Sequence, residues 1–274
     1  MNVLSYALCL LLAASLLRAE EEKDPQLTGP GLEIGLISES SGITPGKPLT
    51  LGLHIHHLPG FHTYWKSPGI VGMATSIEWT LPEGFSASKI RWPYPENTFM
   101  AEYPCHGYER DVTLVVTITP PAQIPTKEVT FQAKSAWMCC AKGCFPGFET
   151  FELTLPVTAG PKPFPSAKAH LARALNELPS KKHKIKATLH SKADEEIITI
   201  NFHGPLKSPL DQPYFFSNDG QISSDQKQSF VKEKNGSFTL KIARSEFSPE
   251  GKSTVPGVLK VGGRYFEIEA VPAR

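Results

Sequence analysis

Long apolar runs are missing from the chain once its first 19 residues are passed. Nothing after them approaches the roughly 18 apolar residues that a membrane helix requires, so residues 20–274 are read as a soluble protein. An excess of charge is missing too. Lys and Arg total 28 against 27 Asp and Glu, and only Arg18 among the bases falls within the first 19 residues. That balance leaves no electrostatic footprint for nucleic acid or for an anionic membrane. Phosphate-cradling glycine loops are missing: GVLKVGGRY, residues 257–265, is read as a turn between two strands whose glycines permit it. No oxyanion motif accompanies any Cys and His pair, which argues against nucleophilic catalysis of that type. Tryptophan is missing after Trp137 and cysteine after Cys144, so the first part of the chain and the second differ in kind.

What is present begins with MNVLSYALCLLLAASLLRA, an apolar segment too short to span a membrane, ending at Ala19 before Glu20-Glu21-Glu22. It reads as a secretory leader, residues 1–19, and places the protein outside the cytoplasm, where disulfides persist. Cys9 belongs to that leader, leaving Cys105, Cys139, Cys140 and Cys144 in the mature chain. GPKPFP, residues 160–165, is a stiff Pro-rich linker. After it, Ser166 is placed to cap a helix whose Ala167, Leu171, Ala174, Leu175 and Leu178 recur at helical spacing, with Pro179 ending it.

The rest alternates with period two. Leu49, Leu51, Leu53, Ile55 and His57 share one strand face, and Val129, Phe131, Ala133, Ser135 and Trp137 share another. Phe151, Leu153, Leu155 and Val157 repeat the pattern. In the second part, IITINF, a hairpin signal at Asn235-Gly236, and RYFEIEAV do the same. Short strands punctuated by Gly and Pro predict an all-β protein of two antiparallel sandwiches. The expected limits are 28–159 for the cysteine-bearing domain, 160–180 for linker and helix, and 181–274 for the second domain.

The segment SAWMCCAKGCFPG, residues 135–147, packs three cysteines into six positions. With Trp137 ending one strand and Glu149 opening the next, Cys139 to Phe148 reads as a hairpin loop. Disulfide staples are the first explanation in an exported protein. A Cys140–Cys144 bridge closes only five residues, worth about 2 kcal/mol in the chain-entropy model, whereas a bridge from Cys105 to the cluster closes about 35 and gives about 4 kcal/mol. The shorter bridge is the poorer staple, which favours redox work at Cys140 and Cys144. Lys142 between them favours a thiolate electrostatically. A bond between adjacent Cys139 and Cys140 would be strained, which leaves Cys139 as a structural disulfide partner for Cys105.

A metal reading draws on the cysteines, on Met73, Met100 and Met138, and on His54, His56, His57, His62 and His106. His54 and His56 share a strand face, a workable ligand spacing, but no closed Cys/His pattern surrounds them and a solvated face accounts for the run equally well. No metal and no cofactor is expected.

Several motifs together resemble the periplasmic N-terminal region of DsbD-type thiol:disulfide interchange proteins, in the branch associated with suppression of copper sensitivity. They are GFHTYWKSPG (60–69), Ile77-Glu78-Trp79, LPEGF (81–85), Trp92-Pro93-Tyr94-Pro95, Gly107-Tyr108, and Trp137-x-x-Cys140-x-x-x-Cys144-x-Pro146. In the second part Tyr214-Phe215-Phe216, Gly220-Gln221-Ile222, Gly257-Val258-Leu259 and Gly263-Arg264-Tyr265 continue the likeness. The resemblance implies an immunoglobulin-like sandwich in which Cys140 and Cys144 cycle between dithiol and disulfide, with Trp137 as a packing neighbour. It also implies exported thioredoxin-like or disulfide-containing proteins as partners. Electrons would come from a membrane donor, expected on a separate chain. The alternative is a non-catalytic binding or scaffold sandwich, copper-binding included, with structural disulfides.

Overall fold

The computed structural model of the chain describes residues 26–192, 195–204 and 212–273; the leader expected at 1–19 lies outside the described residues. The strands of the first part are β1 (Gln26–Gly29), β2 (Leu32–Ser38), β3 (Leu49–His57), β4 (Thr63–Gly69), β5 (Ser76–Thr80), β6 (Ser86–Ala87), β7 (Glu96–Met100), β8 (Tyr103–Tyr108), β9 (Val112–Thr119), β10 (Glu128–Cys140) and β11 (Cys144–Pro156). Helix α1 (Pro165–Asn176) follows. The second part adds β12 (Lys186–Leu189), β13 (Ile197–His203), β14 (Tyr214–Ser217), β15 (Ser229–Lys232), β16 (Phe238–Ala243), β17 (Val255–Val261) and β18 (Arg264–Pro272).

The period-two runs become strands because each buries one face. β2, β3 and β9, in a sheet ordered β1–β2–β3–β9–β6, present Ile34, Leu36, Leu51, Leu53, Leu114 and Val116 to the core. The sheet β11–β10–β5 supplies Val129, Phe131, Ala133, Trp137, Phe151 and Leu155 to that same core. The two layers form the all-β, immunoglobulin-like sandwich that the alternation and the resemblance predicted. A third sheet, β4–β8–β7, meets the end of β10, where His62 and Cys140 exchange backbone hydrogen bonds of 2.9 and 3.0 Å.

Helix α1 forms as expected, with differences at both ends: it stops at Asn176, so Leu178 lies beyond it. Pro165 takes the first turn and Phe164 the N-cap, without a side-chain cap, so Ser166 lies inside the helix. Proline's fixed φ and missing N–H suit that first position. Ala167, Leu171 and Ala174 pack on Ile37 and Val115, covering part of the β3 face that carries Gly52 and His54. The close approach falls at Gly52, where a Cβ would lie 2.4 Å from Thr113 Cγ2 and 2.8 Å from Leu171 Cδ2.

The second part is one continuous sheet, ordered β14–β17–β18–β12–β13–β16–β15, around its own core of Ile198, Ile200, Phe202, Phe215, Phe238, Leu240 and Leu259. The Asn235-Gly236 hairpin forms between β15 and β16. All its pairings are antiparallel except β12 with β18, which run parallel from Ala187↔Ala270 to Leu189↔Pro272. Successive residues of β14 serve different cores. Phe215 enters the core of its own sheet, while Phe216 packs edge-on against Trp65 in the first, ring centroids 6.1 Å apart. Ser224 Oγ accepts from Ile70 N at 3.0 Å and donates to the Pro104 carbonyl at 2.8 Å, and Tyr94 stacks on Tyr265 at 3.8 Å.

Candidate functional site

The β10–β11 ladder extends farther than alternation indicated. Its register continues through Trp137↔Gly147, Met138↔Pro146 and Cys139↔Phe145 to Cys140↔Cys144, so the ten-residue loop expected from Cys139 to Phe148 shrinks to a turn of residues 141–143. Pro146 is tolerated because β11 is the edge strand of its sheet and needs no second partner there. Gly147 opposite Trp137 is a packing requirement: a Cβ on it would lie 2.2 Å from Trp137 Cε2.

Cys140 and Cys144 face each other at the end of this ladder and are joined by a disulfide, Cα–Cα 4.2 Å. The two sulfurs have opposite environments. Cys140 is fully buried and its backbone is held by His62, whereas Cys144 is exposed at the tip beside exposed Lys142. A second segment, Leu58 to His62, stands beside the turn. Between them lies a cavity of about 450 Å³ lined by Pro59, Phe61, Ala141, Lys142, Gly143 and Phe145, with the Phe61 and Phe145 rings 6.2 Å apart. Phe145 is 41% and Phe148 70% exposed, so the hairpin edge next to the disulfide carries uncovered aromatic surface.

Strand parity distributes the remaining cysteines. Cys139 points with Trp137 into the sandwich core, while Cys140 joins a small cluster with Tyr64 and Cys105, packed against Val71, Met100 and Met138. Cys105 and Cys139 are both buried free thiols, so the disulfide expected between them is not formed. Cys105 packs in the cluster of Cys140, whereas Cys139 packs in the sandwich core. Burial pushes both thiols up to about 12, which keeps them protonated at neutral pH.

Trp137 lies in the sandwich core, 4% exposed, and does not face the Cys140 cluster. The residues around the disulfide that alternation missed are Phe61, His62, Tyr64 and Cys105. The first three sit in GFHTYW; only the family likeness marks Phe61 and Tyr64, while His62 also enters the metal reading. Tyr64 Oη and His62 Nε2 are buried without a hydrogen-bond partner among the described residues. Desolvation raises the Tyr64 phenol and lowers the His62 imidazolium, so both stay neutral.

The fold disperses the histidines. His54 lies under α1, its ring 4.0 Å from His170 and its Nδ1 2.9 Å from Thr113 Oγ1. His57 bridges the Arg110 carbonyl and Thr63 Oγ1, His106 spans the Ser67 carbonyl and Tyr214 Oη, and His56 reaches out to Asp111. The solvated face proposed for His54 and His56 therefore holds for His56 alone, because α1 covers the other. No group of three or more His, Cys, Asp or Glu residues is arranged to hold a metal ion among the described residues.

Comparison with known proteins agrees with this arrangement. Residues 38–156 match the family model described as the N-terminal domain of thiol:disulfide interchange protein DsbD. The chain also superposes on the N-terminal periplasmic domain of ScsB from Proteus mirabilis with a TM-score of 0.67. That match has 15% sequence identity and covers 92% of this chain and 98% of that one, a likeness of fold. Residues 38–156 thus match the DsbD-type N-terminal domain, which supports a thiol-disulfide exchange-related module. A conserved domain protein from Bacillus anthracis (TM-score 0.26, 12% identity, 88% of this chain and 78% of that one) and a marsupial T cell receptor (TM-score 0.22, 14% identity, 90% and 100%) align too loosely to carry an argument. No curated protein matches the sequence. No helix among the described residues is long and apolar enough to cross a membrane.

Proposed function

We propose that the protein is an exported, periplasmic thiol-disulfide exchange module that passes reducing equivalents to other exported proteins through Cys140 and Cys144. One observation carries the reading: within a DsbD-type domain, a disulfide closes the tip of a hairpin with one sulfur exposed and the other buried. In the reduced state the Cys144 thiolate, reachable from solvent, attacks a partner disulfide. Cys140 then displaces the partner from Cys144, forming the Cys140–Cys144 bond and leaving the partner as a dithiol. A membrane electron donor reverses the cycle. Lys142, on the turn beside Cys144, favours its thiolate, and Phe145 and Phe148 offer the apolar surface on which a thioredoxin-like partner docks.

The two bodies of β structure act as separate domains in this reading, 28–159 carrying the chemistry and 181–274 supporting it through Ser224, Phe216 and Tyr214. Trp137 acts at a distance by holding the hairpin in register against Gly147. The binding or scaffold alternative has less support. Its histidine ligands are scattered among separate hydrogen-bonding roles.

The test is trapping. A Cys140→Ser variant keeps the exposed nucleophile and lacks the resolving thiol, so incubation with an oxidised thioredoxin-like protein should give a stable adduct on Cys144. A Cys144→Ser variant should give none. Failure of both variants to form an adduct overturns the reading.

A further inference from the structure

The small cluster behind the disulfide holds a thiol that the exchange cycle does not use. Cys105 is 1% exposed and Cys140 fully buried, and with Tyr64 they are the three buried members of one apolar compartment closed by Val71, Met100 and Met138. β8 brings Cys105 there, paired with Thr98 of β7 and Gly69 of β4. The Tyr64 hydroxyl, in the same compartment, has no hydrogen-bond partner among the described residues. Cys144 is exposed at the hairpin tip, whereas Cys105 is buried in the same cluster as Cys140, so Cys140 has one sulfur partner toward solvent and a second thiol in its own compartment. Cys139 is not in this compartment, because strand parity turns it into the sandwich core.

We propose that Cys105 is an internal nucleophile for the Cys140–Cys144 disulfide, so that the oxidised protein exchanges between two disulfide isomers, Cys140–Cys144 and Cys105–Cys140. The proposal rests on the exchange-active reading of the Cys140–Cys144 bond. In the step, Cys105 loses its proton and its thiolate bonds to Cys140 Sγ as the Cys140–Cys144 bond breaks. The electron pair leaves on Cys144, which takes up the proton; no external oxidant or reductant is consumed. The product withdraws the disulfide from partners into the cluster and presents a free thiol at the hairpin tip. It is an oxidised protein carrying an attacking thiol.

The groups facing Cys105 set the rate. Desolvation and nearby Glu109 hold the thiol protonated, against a hydrogen bond from the Met100 backbone, with a net push up to about 12. The swap is therefore slow at neutral pH and speeds up about tenfold per pH unit as the thiolate fraction grows.

Two measurements test it. Oxidised wild-type protein held with iodoacetamide between about pH 7 and pH 9 should accumulate alkylated Cys144 together with a Cys105–Cys140 linked peptide, at a rate rising about tenfold per pH unit; Cys105→Ser should abolish both. Oxidising Cys144→Ser with glutathione disulfide should yield the Cys105–Cys140 bond within one chain. Alkylation confined to Cys105 or Cys139 with Cys140–Cys144 intact, or a Cys139 linkage in the variant, overturns the proposal. Reduction of the wild-type Cys140–Cys144 bond by glutathione reports the exchange reading separately, so failure of one is distinguishable from failure of the other.

Discussion

Acidification should unfold this protein through three histidines that the fold buries uncharged. His54, His57 and His106 are 6%, 5% and 2% exposed, and burial lowers each from 6.5 to about 4. The secondary influences differ: His170, His56 and Arg173 add to the lowering at His54, and Asp111 opposes it; the Arg110 carbonyl opposes it at His57 and the Ser67 carbonyl at His106. In the unfolded chain each imidazole regains its ordinary value, so between pH 6.5 and about 4 the unfolded state binds more protons than the folded one. Stability from this source is complete above pH 6.5 and is lost as the pH falls toward 4. At about pH 5 the loss is about 2 kcal/mol per histidine, or about 6 kcal/mol for the three, comparable with the whole stability of many domains. Urea unfolding followed by tryptophan fluorescence at about pH 7.5 and pH 5 should show that loss. His57→Gln, although less stable at neutral pH, should show a loss smaller by about 2 kcal/mol. Equal unfolding free energies at the two pH values would refute the reasoning.

Three further substitutions probe the scaffold. Phe131→Ala removes a fully buried ring packed edge-on against Phe85 at 5.6 Å, and chemical denaturation should report a loss of about 3–5 kcal/mol. Gly147→Ala forces a Cβ into the Trp137 ring, so a loss of about 1–3 kcal/mol should appear with a changed tryptophan emission. Ser224→Ala deletes the hydroxyl that joins Ile70 N to the Pro104 carbonyl, and urea unfolding should register a loss of about 1–3 kcal/mol.

Local periodicity made much of the architecture legible. The side chains of β10 that alternation turned inward, Val129 through Trp137, are the ones the core buries, and Asn235-Gly236 turns where it was expected to. What stayed hidden depends on which element covers which. Nothing in LTLGLHIHH distinguishes His54 from His56; α1, more than a hundred residues later, buries one and leaves the other out. The ladder beyond Trp137 was obscured because Cys, Lys, Gly and Pro have weak strand preference, and pairing with β11 overrides it. Loop-size reasoning and the family likeness both led to Cys140 and Cys144, which the structure joins. Neither reveals that Cys105 shares the compartment of Cys140 while Cys139, its sequence neighbour, does not. That follows from strand parity and from the placement of β8, both of which require the register.

In the proposed reading the same register lets one hairpin serve both as framework and as reactive edge. Along β10 the inward positions belong to the sandwich until Cys139, and one residue later the chain delivers a sulfur into a separate cluster beside an exposed partner. A five-residue disulfide adds little as a constraint, about 2 kcal/mol, so the proposed exchange predicts that the sandwich stays folded when the bond is broken.

The most direct measurement of the central claim is the redox titration of that bond. The purified protein is equilibrated in glutathione and dithiothreitol buffers of graded potential, its free thiols are alkylated, and each cysteine is read by peptide mass spectrometry. The account predicts that Cys140 and Cys144 become reactive together with a midpoint above about −300 mV, in the range of exchange disulfides, while the protein stays folded. A Cys140–Cys144 bond that survives the most reducing buffer, or opens only as the protein unfolds, would contradict it.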